Sequence, residues 1–154
     1  MSAAPPQEQT AIHALVAAAR RGDPRVIARL ASGWAMFGER QFVHGYTLLL
    51  PDPVVAGVNS LAAQERTQFL TDMTRIGDAL LAATAALRIN YAIFGNLEPA
   101  LHAHVVPRYA DEPRALRTQH PWAYDWDAAP LFEPRSYMEL AAALRRELTR
   151  SGAR

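Results

Sequence analysis

The sequence predicts an α+β fold: an antiparallel sheet of about five strands, a long central helix on one face, and extra helices at both ends. Two patterns carry this expectation. Residues 61–86 place Leu61, Phe69, Leu70, Met73, Ile76, Leu80 and Leu81 on a helical period for about six turns. Residues 101–106 instead repeat every two residues, with His102, His104 and Val106 on one face and Leu101, Ala103 and Val105 on the other. The remaining strand-like segments come in neighbouring pairs with short links, as antiparallel sheets require.

The elements follow in chain order. Ile12, Leu15, Val16 and Ala19 have helical spacing, and Gly22 can end that helix. Asp23 as N-cap and Pro24 at the first helical position predict a second short helix, giving a helical extension over 8–31. Trp34, Met36, Phe42, Val43, Tyr46 and the run 47–50 favour strands, so 33–37 should pair with 41–50 as a hairpin. Residues 52–60 read as a loop before the central helix. "RINYAIFGN" and "LHAHVVPRY" read as two strands joined through "GNLEPA". The Pro- and Trp-rich segment 111–134 should be irregular but packed. "SYMELAAALRRELTR" closes the chain as a helix, with Ser136 as cap and Glu139 completing a capping box. All of this fits one domain over 1–154 with its core at about 33–113 and the Pro/Trp segment and last helix over 111–150.

Composition excludes several chemistries. The chain has 154 residues, half of them hydrophobic, enough for one real core. It has no Cys, hence no thiol nucleophile, disulfide or Cys-based metal site. Its sixteen basic residues are all Arg, which removes Schiff-base lysines and the lysine of a P-loop. A net charge of +1 gives no reason to expect a large nucleic acid as partner. No apolar run is long enough to span a membrane, and the N-terminal stretch lacks the pattern of a secretory leader, so a cytoplasmic location is expected.

The chemistry concentrates in "PALHAHVVPRY", residues 99–109, which holds two of the five histidines. Two imidazoles in register on an otherwise apolar strand admit three uses. They could bind a metal, with Asp111, Glu112 or His44 as a third ligand, although none has compelling spacing. They could act as general acid and base near neutral pH. Or an imidazole nitrogen could attack phosphorus. Spacing alone does not choose among these. His13 and His120 read as ordinary partly buried or surface histidines.

At "GNLEPALHAHVVPRYADEP" the sequence resembles the histidine-triad (HIT) family of nucleotide hydrolases and transferases. That family carries His-φ-His-φ-His-φ-φ, φ being apolar, often followed by Pro-Arg. The matching stretch here is Ala100-Leu101-His102-Ala103-His104-Val105-Val106, then Pro107-Arg108. The resemblance extends through "GYTLLLP", the central helix and "NYAIFGN", about residues 33–113, and the tail is similar to a bacterial branch related to dinucleoside-polyphosphate hydrolases. Two family histidines are replaced, by Ala100 in the motif and by Val54 upstream.

The resemblance implies a HIT-like sheet and a phosphoryl-centred reaction with no metal or other cofactor. His102 takes the nucleophile's place and attacks the α-phosphorus of a nucleotide or dinucleoside polyphosphate. His104 takes the place of the phosphate-contacting histidine, helped by backbone N–H groups near Asn96–Glu98. The Ala100 carbonyl is expected to orient His102, since a carbonyl does not depend on its side chain. Asn90, Asn96 and Glu98 are implied polar contacts, and Trp34 and Phe42, with Phe37 beside them, candidates to stack on a base. Trp122, Tyr124 and Trp126 are placed to close the groove or form a dimer contact, and Arg108 to brace the strand end. The family's habit implies a homodimer. The alternative function is nucleotide binding with turnover weakened or lost along with the two histidines.

Overall fold

The computed structural model describes residues 9–152, so residue 8, the expected start of the N-terminal extension, lies outside it. The elements are α1 (Ala11–Arg20), β1 (Val26–Arg29), β2 (Gly33–Phe37), β3 (Thr47–Pro51), α2 (Ala63–Ala83), β4 (Arg88–Ala92), β5 (Ala103–Arg108) and α3 (Pro134–Gly152). The five strands form one antiparallel sheet in the order β1-β2-β3-β5-β4. This is the predicted α+β architecture, with the long helix, the two terminal helices and the strand count as expected.

Side-chain alternation gives the sheet two different faces. Ala35, Phe37, Leu49, Ala103 and Val105 point to one face and form the main core with Phe69, Ile76 and Leu80 of α2 and Tyr137, Leu144 and Leu148 of α3. Met36, Leu48, Leu50, His104 and Val106 belong to the other face. There α1 packs Ile12 and Val16 onto Met36, Leu50 and Ala100 at one end. Phe42, Val43, Tyr46 and Val106 gather Tyr124 and Trp126 of the tail at the other. The histidines lie on this second face, between the helix and the tail.

Three local expectations are corrected. The predicted second helix at 23–31 is instead strand β1, which pairs with β2 through Val26↔Met36 and Arg29↔Trp34. Asp23 does accept a backbone bond, from the Arg25 amide at 2.9 Å, but as a turn and not as a helix cap. Sheet pairing of the β-branched Val26-Ile27 overrides a cap-and-proline signature. The hairpin is shorter than expected, because the second strand starts at Thr47. Residues 41–46 form a loop held by buried Gln41, which donates to the Gly38 and Tyr46 carbonyls at 2.8 and 2.9 Å and accepts from the Gly45 amide at 3.0 Å. Gly45 has φ +90°, which suits glycine there. Finally, α3 starts at Pro134, two residues before the expected cap. The Glu133 carboxylate accepts from the Ser136 amide and hydroxyl at 2.8 and 3.0 Å, so Glu133 does the capping expected of Ser136.

Candidate functional site

His102 sits just before β5, and its side chain is buried. Its Nδ1 lies 2.8 Å from the Ala100 carbonyl oxygen. A carbonyl can only accept, so Nδ1 carries the proton and Nε2 keeps its lone pair. This is the bond expected of the Ala100 carbonyl.

His104 is held differently. Its Nδ1 lies 2.7 Å from the hydroxyl of Tyr46, which is buried and has no other hydrogen bond among the described residues. The phenol proton therefore goes to Nδ1, and the His104 proton sits on Nε2. Burial and the neighbouring His102 push the His104 imidazole down from 6.5 to about 4, so it is neutral near pH 7. Burial also raises the Tyr46 phenol, which keeps it a donor. The two rings lie 4.9 Å apart, edge to face. Together they offer one nucleophilic lone pair and one neutral N–H donor.

Tyr46 is the contact to His104 that sequence reasoning missed. It sits there because Gly38 leaves room for its ring, since a Cβ on Gly38 would lie 2.2 Å from the ring carbons. The period-2 rule does place Tyr46 on the face of Leu48, and Leu48 pairs with His104. That register, however, exists only once the sheet is formed.

The tail closes one side of the site. Trp122 stands edge-on to His104 with ring centres 4.9 Å apart, and Phe94 lies 4.8 Å from Trp122. Trp126 stacks on Trp122 at 5.4 Å and on Phe42 at 3.9 Å. One buried guanidinium fixes this segment. Arg108 donates to Glu112 at 3.0 and 3.1 Å, to Asn90 Oδ1 at 2.7 Å, and to the carbonyls of Gln119 and Leu116 at 2.7 and 3.0 Å. Glu112 also accepts from the Tyr109 amide and the Tyr124 hydroxyl. Burial alone would raise the Glu112 carboxyl, but the bonds from Arg108, Tyr124 and the Tyr109 amide outweigh it and hold it below the usual carboxylate range. Arg108 is thus a brace, as expected.

Several predicted site residues are engaged by the fold itself. The Asn90 oxygen is taken by Arg108. Glu98 accepts from the Ala11 amide at 3.2 Å at the N-terminus of α1, beside the Thr10 cap and in a favourable place for a carboxylate. Trp34 donates to Asp52 at 2.9 Å and lies under Arg29. The hydrogen bond from Arg20 holds the Asp52 carboxyl down. Phe42 is buried in the tail cluster, and Phe37 faces α3 on the opposite side of the sheet. Asn96 is exposed in the link between β4 and β5. Ala100 and Val54, the two positions where the resemblance leads one to expect histidines, both pack in the apolar cluster of α1.

The candidate third metal ligands sit elsewhere. Glu112 is bound to Arg108, and His44 and Asp111 line a separate cavity between the end of α2 and α3. Among the described residues no three His, Asp or Glu side chains converge on a metal position.

Neither the protein-family models nor the curated proteins give a match to this chain. Solved structures do. A histidine triad protein from Marinobacter aquaeolei VT8 is 17% identical with a TM-score of 0.72, over 93% of this chain and 98% of that one. A histidine triad protein from Bradyrhizobium japonicum is 22% identical with a TM-score of 0.70, over 80% and 89%. A hypothetical histidine triad nucleotide-binding protein from Sulfolobus tokodaii strain7 is 14% identical with a TM-score of 0.63, over 82% and 84%. The chain has the histidine-triad fold, with His102 just before β5 and His104 on it.

Proposed function

We propose that this protein binds nucleotides and acts at their α-phosphate as a hydrolase or nucleotidyl transferase, through a nucleotidyl-His102 intermediate. The observation that carries the reading is the His102 Nδ1–H···O=C bond to Ala100, which leaves Nε2 unprotonated. The nucleotide-binding description of the Sulfolobus structure agrees with it.

In the first step the Nε2 lone pair forms a bond to phosphorus, and the bond to the leaving group breaks with its electron pair on the departing atom. The His104 Nε2–H donates to a phosphate oxygen where negative charge accumulates. Asn96 and main-chain amides of the 96–98 turn supply further donors. In the second step water attacks phosphorus, the P–N pair returns to Nε2, and a proton leaves to solvent. With an alcohol or nucleotide in place of water, the same step is a transfer. The route uses only this chain's own groups, and the protein operates in the cytoplasm as a homodimer on nucleotides or dinucleoside polyphosphates.

One observation favours the alternative of nucleotide binding with weak turnover. Both replaced histidine positions are built into the apolar packing under α1, so that wall of the pocket lacks polar contacts. A single experiment separates the readings. Purified protein is mixed with AMP phosphoramidates and dinucleoside polyphosphates in EDTA, and products and a trapped nucleotidyl-protein are sought by mass spectrometry. Turnover with label on His102 is expected. His102→Ala should lower kcat by roughly a thousandfold or more while nucleotide affinity stays within about threefold. Nucleotide binding with no turnover and no adduct sinks the enzyme reading. Loss of activity in EDTA and recovery with zinc would replace the covalent route by a metal one.

A further inference from the structure

The hydroxyl of Tyr46 makes one hydrogen bond among the described residues, and that bond goes to His104. The rest of the side chain is packed. Its ring lies 4.9 Å from that of Phe42 and 5.3 Å from that of Trp126, in a cluster with Val43 and Val106. A phenylalanine would fill this space equally well and leave no buried phenol in need of a partner. Packing therefore accounts for the ring and not for the oxygen.

The loop before β3 is built around this residue. The Tyr46 carbonyl accepts from the Gly38 amide at 3.0 Å and from Gln41 Nε2 at 2.9 Å. Gln41 also donates to the Gly38 carbonyl and accepts from the Gly45 amide, so its side-chain amide ties the two ends of the loop together. The Tyr109 and Thr47 hydroxyls secure the same turn by donating to the His44 and Gly45 carbonyls at 2.7 and 2.9 Å. The result is a phenol with a fixed direction, its ring within 14° of parallel to that of His104.

A neutral imidazole has two choices left open by its own structure. The proton sits on either nitrogen, and a half-turn of the ring exchanges Nδ1 with Cδ2 and Nε2 with Cε1. A donor aimed at Nδ1 removes both choices. In the turned ring the phenol would meet a C–H, and in the other tautomer an N–H. Either leaves the phenol proton buried without an acceptor.

We infer that Tyr46 is a positioning residue, whose hydroxyl fixes both the orientation and the tautomer of the His104 ring so that Nε2–H is the donor offered to phosphate. This role rests on the covalent reading given above, and it limits what His104 does in that reaction. If the Nε2 proton passed to the substrate, Nδ1 would have to take the phenol proton, and burial opposes the phenolate that would remain. His104 thus keeps its proton through both steps and gives a hydrogen bond only. Any proton taken up by the departing atom comes from solvent.

The test is a double-mutant cycle with a packing control. In wild type, nitrogen NMR of isotope-labelled histidine rings should show His104 with its proton on Nε2; a proton on Nδ1 overturns the inference whether or not the protein has activity. Turnover of AMP morpholidate or diadenosine tetraphosphate with a His102 adduct establishes the parent reading on its own. Tyr46→Phe should then lower kcat/KM about 10- to 100-fold. In the His104→Ala background the same substitution should change kcat/KM by less than about twofold, because Tyr46 acts through that ring. Val43→Ala loosens the same cluster without removing a polar side-chain group, and should lose stability while kcat/KM stays within about threefold. Undiminished turnover in Tyr46→Phe, losses that add in the double variant, or an equal loss in Val43→Ala overturns the inference. If wild type turns over neither probe, the parent reading falls and the same cycle is read on AMP affinity. There, non-additive losses uphold the positioning role and additive ones overturn it.

Discussion

His102 and His104 stand two residues apart, yet each carries its proton on a different nitrogen. Ala100 accepts from Nδ1 of one, and Tyr46 donates to Nδ1 of the other. The difference has a consequence for pH. His104 is held neutral in the folded protein down to about pH 4, whereas in the unfolded chain it titrates near 6.5. Between these values the unfolded state binds the extra proton, so this contribution to stability is complete above pH 6.5 and disappears as the pH falls to 4. Between pH 7 and 4.5 the melting temperature of wild type should therefore drop roughly 5 °C further than that of His104→Asn. Asp52 and Glu112 also titrate in acid, but they do so in both proteins and cancel from the difference. Parallel curves for the two proteins would show that His104 is not held neutral. A second outcome concerns Ala100, which is 3% exposed against Ile12, Val16, Met36 and Leu50. Ala100→His puts an imidazole into that packing and should cost about 1–3 kcal/mol while lowering turnover; a faster enzyme would show that the pocket still accommodates the missing ring. The histidine pair, the role of the Ala100 carbonyl and the bracing role of Arg108 were legible in the motif. Tyr46 was not, because its bond to His104 joins residues 58 positions apart.

At the level of elements, the tail shows how an irregular segment gains a fixed place. Residues 109–126 contain only one short helical turn, Pro121–Ala123, yet Arg108 and Glu112 tie them to the end of β5. Breaking one partner leaves a buried, unpaired charge, which costs about 3–5 kcal/mol. Arg108→Gln should lower stability by that order and release the tail. Trp122 would then leave His104, seen as a red shift in tryptophan emission and new proteolysis within 110–126. Unchanged emission and cleavage would mean that the aromatic stack alone holds the segment. The same contrast between local and tertiary forces explains which elements could be read from sequence. The α2 and β5 segments have a long or strict period and, with β4 read from its strand-favouring residues beside a Gly/Asn/Pro link, came out with the right type. The 23–31 segment has a cap, a proline and too few residues for a clear period, and partner strand β2 decided it. Glu133 and Gln41 act through side-chain bonds to nearby backbone, which fix the start of α3 and the length of the hairpin without leaving a periodic trace.

Across the whole molecule, the two edges of the sheet are treated differently. At β1 the carbonyls of Val26 and Ile27 are taken by Arg145 of α3, at 2.9 and 2.7 Å, which blocks further strand pairing. The β4 edge has no such cover among the described residues. Beside it are Leu87 at 63% exposure and Tyr91 at 39%, with Leu81 of α2 at 41%. An open strand edge flanked by apolar side chains is a template for a second copy, and a two-fold axis would bring the same edge from each copy together. For the proposed homodimer, we therefore propose a seam along β4 and α2. The expected mass in solution by light scattering is twice that of the chain, and the melting temperature should rise with protein concentration. Leu81→Glu/Leu87→Glu puts two like charges from each copy at the seam and should yield a folded monomer. Because neither leucine contacts His102 or His104, nucleotide binding should persist in that monomer. A dimer that survives both substitutions would place the seam elsewhere, and a wild-type monomer at micromolar concentration would remove it.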